Sequence, residues 1–244
     1  MRARLSGLLV PLAIAAGCAT PPPAASPPAG CGGGAATVLT CVRAREDAVR
    51  SLRARFRATT RRNGESHATN GVLLVSKPDR FRLRLMLPFG LTVFDYTRDG
   101  PRTAVSLPLR GPDNQGADDG RPPFGDIDLA EAFLRGEYAF PGTCSAEEDG
   151  AHVRVACRDG AGRLLRELVL DPASGTIASE VSHDGQRPRL ALAYSEYRVV
   201  DGAVLPFRID LAYPERGVAL AIEIEHYQVN PDLGAALFRP AELE

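Results

Sequence analysis

From Arg80 to Leu85 the chain alternates without a break, with Phe81, Leu83 and Leu85 apolar between Arg80, Arg82 and Arg84, and Leu87 extends the apolar set beyond Met86. A period of two places the two sets on opposite faces of a β-strand. The chain then turns at Pro88, Phe89 and Gly90. It leaves as a second strand in which Leu91, Val93 and Asp95 oppose Thr92, Phe94 and Tyr96. Upstream, Ala54, Phe56, Ala58 and Thr60 alternate with Arg53, Arg55, Arg57 and Thr59 up to a turn at Asn63-Gly64. Residues 67–75 return, with a candidate bulge at Asn70-Gly71, and 103–107 form a further strand. Beyond Tyr138 the pattern predicts strands at 138–145, 151–158, 164–171, 176–183, 188–199, 203–213 and 217–229. Their turns fall at Asp149-Gly150, Asp159–Gly162, Asp171–Gly175, Asp184-Gly185 and Asp201-Gly202, and Asp-Gly between alternating runs is a strong hairpin signal.

Helical patterning is sparse. Cys41–Leu52 reads as a short helix, with Val42, Val49 and Leu52 on one side. Asp126 or Asp128 caps a second one that ends before Gly136 and includes Phe133. Pro231–Phe238 reads as a final turn over one edge. A sheet with so few helices must curl to hide its apolar face. The expected fold is therefore mostly β, an antiparallel half-open barrel of about eleven strands with short helices as a lid and an apolar cavity at the mouth. By alternation, the cavity candidates are Phe56, Val72, Leu74, Phe81, Leu83, Leu85, Val93 and Phe133, and a slip of one residue would exchange a strand's whole set.

The turn between the two central strands is unusual because it is apolar. Hairpin tips normally carry Asn, Asp, Gly or Ser, yet Leu87, Phe89 and Leu91 crowd this one. Two readings stand: a neighbouring loop covers the tip, or the tip touches something apolar outside the molecule. Moving one Leu or Phe out of water is worth roughly 1.5–3 kcal/mol, which suits transient membrane contact.

The N-terminus adds weight to the second reading. Arg2 and Arg4, the apolar run Leu5–Ala16 and the closing Ala15-Ala16-Gly17-Cys18 read as a signal peptide over residues 1–18. Small residues directly before a cysteine resemble a bacterial lipobox, which makes Cys18 the candidate lipidation site; cleavage after Ala15 without lipid is the alternative. More than one acyl chain makes attachment stable. The Pro- and Gly-rich residues 19–40 read as a tether, leaving 41–244 as one domain. Ala19 follows the cysteine, and by resemblance to the enterobacterial sorting rule the absence of Asp there implies a lipid anchor on the outer membrane, facing the periplasm.

Composition narrows the rest. The formal net charge is −1, which offers no argument for nucleic acid as a partner. Beside Cys18 stand Cys31, Cys41, Cys144 and Cys157, an even number that suggests disulfides in an exported protein. Cys144 and Cys157 flank a hairpin turn, and Cys31 and Cys41 can staple the tether's end, with other pairings open. Their spacing fits no zinc finger, and Asp113, Asp118 and Asp119 do not match a calcium loop. His67, His152, His183 and His226 are isolated. Glu223 and Glu225 read as a solvated face, and neither a nucleophile elbow nor a phosphate loop occurs. No cofactor, metal or enzymatic activity is expected.

The stretch KPDRFRLRLMLPFGLTVFDYTRDG resembles the strand, Pro-apolar-Gly tip and returning strand of the LolA/LolB lipoprotein localisation family. The resemblance implies a cavity for the acyl chains of lipoproteins in transit, a periplasmic LolA-like carrier as donor, and a monomer that places cargo in the outer membrane. The family's exposed tip residue falls on Phe89. The alternatives are an envelope lipoprotein that binds a free lipid or glycolipid, and a structural or interaction lipoprotein that uses Arg80, Arg82 and Arg84 on its outer face.

Overall fold

The computed structural model describes residues 30–107 and 140–239, apart from Asn63, Pro88 and Gln186. The signal peptide with Cys18, most of the tether, the 111–123 loop and the second helix with Phe133 lie outside the described residues. One helix, α1 (Ala35–Ala48), precedes twelve strands: β1 (Ser51–Arg62), β2 (Glu65–Ser76), β3 (Arg80–Met86), β4 (Thr92–Asp99), β5 (Arg102–Ser106), β6 (Thr143–Asp149), β7 (His152–Arg158), β8 (Leu164–Asp171), β9 (Thr176–Asp184), β10 (Arg187–Val200), β11 (Ala203–Tyr213) and β12 (Val218–Val229). They form one sheet in the order β5-β4-β3-β2-β1-β12-β11-β10-β9-β8-β7-β6. Two antiparallel meanders, β1–β5 and β6–β12, are joined where β1 pairs with β12. The sheet is open, with β5 and β6 at its edges.

Turn chemistry explains why the strands fall where they do. At the β10–β11 hairpin, Asp201 and Gly202 take φ of 49° and 80°, the conformation of a two-residue turn that favours Asp-Gly. Alternation fixes the faces. The inner face carries Ala54, Phe56 and Ala58 of β1, Leu73 and Val75 of β2, Phe81, Leu83 and Leu85 of β3, and Phe94 of β4, all buried. In the second meander it carries Val153, Val155, Leu168, Leu170, Leu190 and Leu192. α1 packs against β6, β7 and β11, burying Val38, Leu39 and Val42.

Several expectations are corrected. The helix begins at Ala35, inside the expected tether, because the Gly-rich approach is held in place. Cys31 is bonded to Cys41, and its amide donates to the Pro172 carbonyl at 2.9 Å. The Arg45 guanidinium donates to the carbonyls of Ser174 and Gly175. Gly71 is not a bulge, since β2 pairs in continuous register with β1 and β3. It is glycine because a Cβ there would overlap the Phe56 ring lying across it. The register irregularity lies instead between Arg55 and Phe56, against β12. The C-terminal segment does not cap an edge. Leu233 and Phe238 pack on Leu74 and Val72, so this segment straps the outer face of β2–β4.

Candidate functional site

The β3–β4 turn is closed by the Leu87 amide donating to the Leu91 carbonyl and the Gly90 amide to the Leu87 carbonyl, both at 2.9 Å. Gly90 holds a φ of 81°, which a side chain rarely tolerates. The turn throws Phe89 outward: it is 97 % exposed, Leu91 is 50 % exposed, and Leu87 is half-buried. Nothing within the described fold covers Phe89. A fully solvated phenylalanine at the apex of an apolar turn is the costliest arrangement the residue can adopt in water, and a contact outside the fold would relieve it.

Below the tip, Phe56, Phe81, Leu83 and Leu85 share the inner face as alternation predicts, and Val93 packs against the same core beside a bulge. Val72 and Leu74 do not join them. Their register partners are Arg55 and Arg53 on β1 and Arg84 and Arg82 on β3, which puts them on the outer face under the strap. Phe133 lies outside the described residues. The sequence reading missed Leu73, which pairs with Ala54 and Leu83, and Phe94, which pairs with Leu85. The signal was there: in antiparallel pairing, residues opposite an inner-face Leu are themselves inner. Phe81 and Tyr96 stack edge to face, with ring centroids 5.7 Å apart.

The outer face has its own chemistry. Asp95, its side chain 7 % exposed, accepts hydrogen bonds from Arg82 at 2.9 and 2.6 Å and from Arg84 at 3.0 Å. Arg80 donates to Asp99 at 3.1 Å, and Arg82 also donates to the Leu237 carbonyl at 2.8 Å, tying down the strap. The β3 arginines are thus neutralised within the fold, which counts against their serving as a free basic surface. Glu223 pairs with Arg208 at 3.4 Å rather than with Glu225. A hydrogen-bonded Asp210 raises the Arg208 guanidinium above its ordinary value.

Also on the outer face, over β9–β12, lies a groove of about 450 Å³ floored by Ala191, Ala193, Ala212, Ala219 and Ala221 and bordered by Arg61 and Arg208. It opens away from the inner face. The pairs Cys31–Cys41 and Cys144–Cys157 are both disulfides. The second bridges the directly paired residues of β6 and β7.

No family model matches the sequence, and no curated protein matches it. The fold, a mostly β, open antiparallel sheet with a helix packed on its inner face, is similar to that of solved LolA superfamily and lipoprotein-sorting structures. The solved structures it is similar to include a DUF1329 family protein from Desulfovibrio piger, with 13 % identity and a TM-score of 0.59 over 85 % of this chain and 98 % of that one. A putative outer membrane lipoprotein-sorting protein domain from Vibrio parahaemolyticus gives 13 % and 0.57 over 84 % and 95 %. A LolA superfamily protein from Nitrosomonas europaea gives 10 % and 0.57 over 86 % and 99 %.

Proposed function

We propose that this chain is a lipid-anchored outer-membrane protein that shelters the acyl chains of lipoproteins on the inner face of β1–β4 and hands them to the membrane through the Phe89 finger. The reading is non-enzymatic, with a periplasmic carrier of the same fold as donor and Cys18 as the anchor. The observation that carries it is the exposure of Phe89 at the tip of the strand pair whose inner face is apolar from Phe81 to Leu85. The fold supports it, since one of the similar structures bears the description of a lipoprotein-sorting domain. A finger of three apolar residues gives a contact that forms and releases, because each contributes only about 1.5–3 kcal/mol.

Two experiments test this. The full chain with Cys18→Ser, purified without its own lipid, is expected to carry acylated molecules visible by native mass spectrometry. A chain that never acquires any defeats the acyl-binding role, and free glycolipid in their place supports the alternative ligand. Phe89→Glu is expected to bind the same molecules, change stability by less than about 0.5 kcal/mol as an exposed substitution, and fail to release cargo into vesicles. Normal release by this variant rules out the finger.

A further inference from the structure

The outer face carries two rows of arginines with opposite fates. On β3, each arginine has an aspartate: Asp99 for Arg80, Asp95 for Arg82 and Arg84. On β1, Arg53, Arg55, Arg57 and Arg61 stand on the same face of the sheet, opposite Gln228, His226, Glu223 and Ala219 of β12. Arg55, Arg57 and Arg61 are exposed. Among the described residues, none of these four has an ion-pair partner. The carboxylate directly across from Arg57 is Glu223, and Glu223 is held by Arg208.

The C-terminal strap divides this face. It covers β2–β4, where Leu233 and Phe238 sit on Val72 and Leu74, and leaves Arg55, Arg57 and Arg61 exposed, with Arg53 half-buried beside Leu74. Directly beside the open row, Ala219 and Ala221 begin the alanine-floored groove, and Thr59 and Arg61 form its near wall. The solvent face of an antiparallel sheet normally carries polar residues. Here the face is low and floored by alanines, with Asp210 paired to Arg208 on its far side, next to a row of arginines that make no ion pair among the described residues.

We infer that the β1 row and the groove beside it dock an acidic, extended segment of another protein. Alternate residues of a strand repeat every ~6.8 Å along one face. A partner with a carboxylate at every second position presents the same repeat to Arg53, Arg55 and Arg57, with an apolar side chain entering the groove beside Arg61. Arginine suits this because its planar fork binds a carboxylate through two hydrogen bonds. The surface faces away from the acyl-binding face, so it can be occupied while cargo is carried, and it stands independently of the proposed function.

The test uses the unacylated full chain with Cys18→Ser and a short fluorescent peptide that alternates Glu with Ala. Its comparison is a peptide of the same composition with all Glu in one block. The alternating peptide is expected to bind at least about fivefold more tightly, with affinity falling as salt rises. Arg55→Glu with Arg57→Glu is expected to weaken it at least about tenfold. Ala219→Trp, which fills the groove's near end, weakens it severalfold, and Arg163→Glu in the distant β7–β8 turn leaves it unchanged. Circular dichroism checks that each variant folds. Equal binding of the two peptides, or indifference to the Arg55/Arg57 reversal, overturns the inference. So does a result in which phosphatidylglycerol vesicles bind through Arg55 and Arg57 while the alternating peptide does not, since the row would then meet a lipid surface. None of these outcomes depends on Phe89.

Discussion

The two meanders of the sheet each bury an ion pair, and they bury it on opposite faces. In the first, Asp95 and Arg82 sit on the outer face beneath the C-terminal strap, side chains 7 % and 12 % exposed and 2.6 Å apart. In the second, Arg166 and Glu180 sit on the inner face, each 3 % exposed and 3.9 Å apart. The difference shows how the inner face is divided. Charges placed among inner-face side chains suit the meander to which α1 and both disulfides belong, which is the wall that holds the molecule together. The first meander keeps its charges outside, and its inner face stays apolar from Phe81 through Leu85. That is the half that carries the exposed Phe89 turn and, on the proposed reading, the half where hydrocarbon would meet no buried charge.

The sharpest way to break this contrast is Asp95→Ala. It strands Arg82 under the strap and leaves the half-exposed Arg84 without its aspartate, and removal of one partner of a buried pair costs about 3–5 kcal/mol. Urea denaturation is expected to show a loss of that size together with earlier proteolysis after Asn230. Next in size, Cys144→Ser with Cys157→Ser opens a bridge of 13 residues' separation. It should cost about 3 kcal/mol, and because the bridge lies on the second meander, acyl binding by the folded fraction should persist. The third change is Arg166→Met with Glu180→Leu, expected to shift stability by no more than about 1 kcal/mol, since a buried pair exchanged for packed apolar groups is often neutral. A loss as large as that of Asp95→Ala would remove the distinction between the two pairs.

The smallest effect is a pH dependence. Burial works to raise the Asp171 carboxyl, but hydrogen bonds from the Ser174 hydroxyl and the Ala173 and Ser174 amides outweigh it and hold the group below its usual value. The stabilisation is complete above the ordinary aspartate value of about 3.9 and is lost as pH falls through the lower folded value. Asp171 closes the turn on which Cys31 and Arg45 dock. Acid is therefore expected to loosen α1 before it loosens β1–β5, read as faster amide exchange at Cys31 and Gly175. Asp171→Asn should remove most of that difference. Because the group is only half-buried and water screens it in part, its effect on the melting temperature is expected to be small.

Most of the strand plan was legible in the sequence, for a physical reason. Where one face meets the core and the other meets water, alternation and turn chemistry carry the same message, as in Phe81–Leu85 and at Asp201-Gly202. The signal failed where water was not on the other side. β2 reads Gly71-Val72-Leu73-Leu74-Val75, apolar on both faces, because the strap covers its outer side. Only the pairing of Leu73 with Leu83 tells which half is inner. The early start of α1 escaped for a related reason. Glycines at 30 and 32–34 read as tether, and what orders them is a disulfide and a turn some 140 residues away in the chain. Phe89 was visible as an anomaly, yet sequence alone could not say that nothing among the described residues covers it.

The point where the chain enters the fold has a geometric consequence. Cys31 hydrogen-bonds to the β8–β9 turn, and strand alternation puts that turn at the opposite end of the sheet from the β3–β4 finger. β1 alone, with 12 residues, runs about 40 Å at ~3.3 Å per residue. The stretch from Cys18 to Cys31, drawn out at ~3.1 Å per residue, reaches about the same distance. If Cys18 carries the proposed lipid and Phe89 meets the same bilayer, a leash of that length is only just sufficient, and then only when pulled taut along the molecule's flank. Deleting a few of the prolines at positions 21–28 would force the choice, leaving the finger to point across the gap at whatever surface lies opposite.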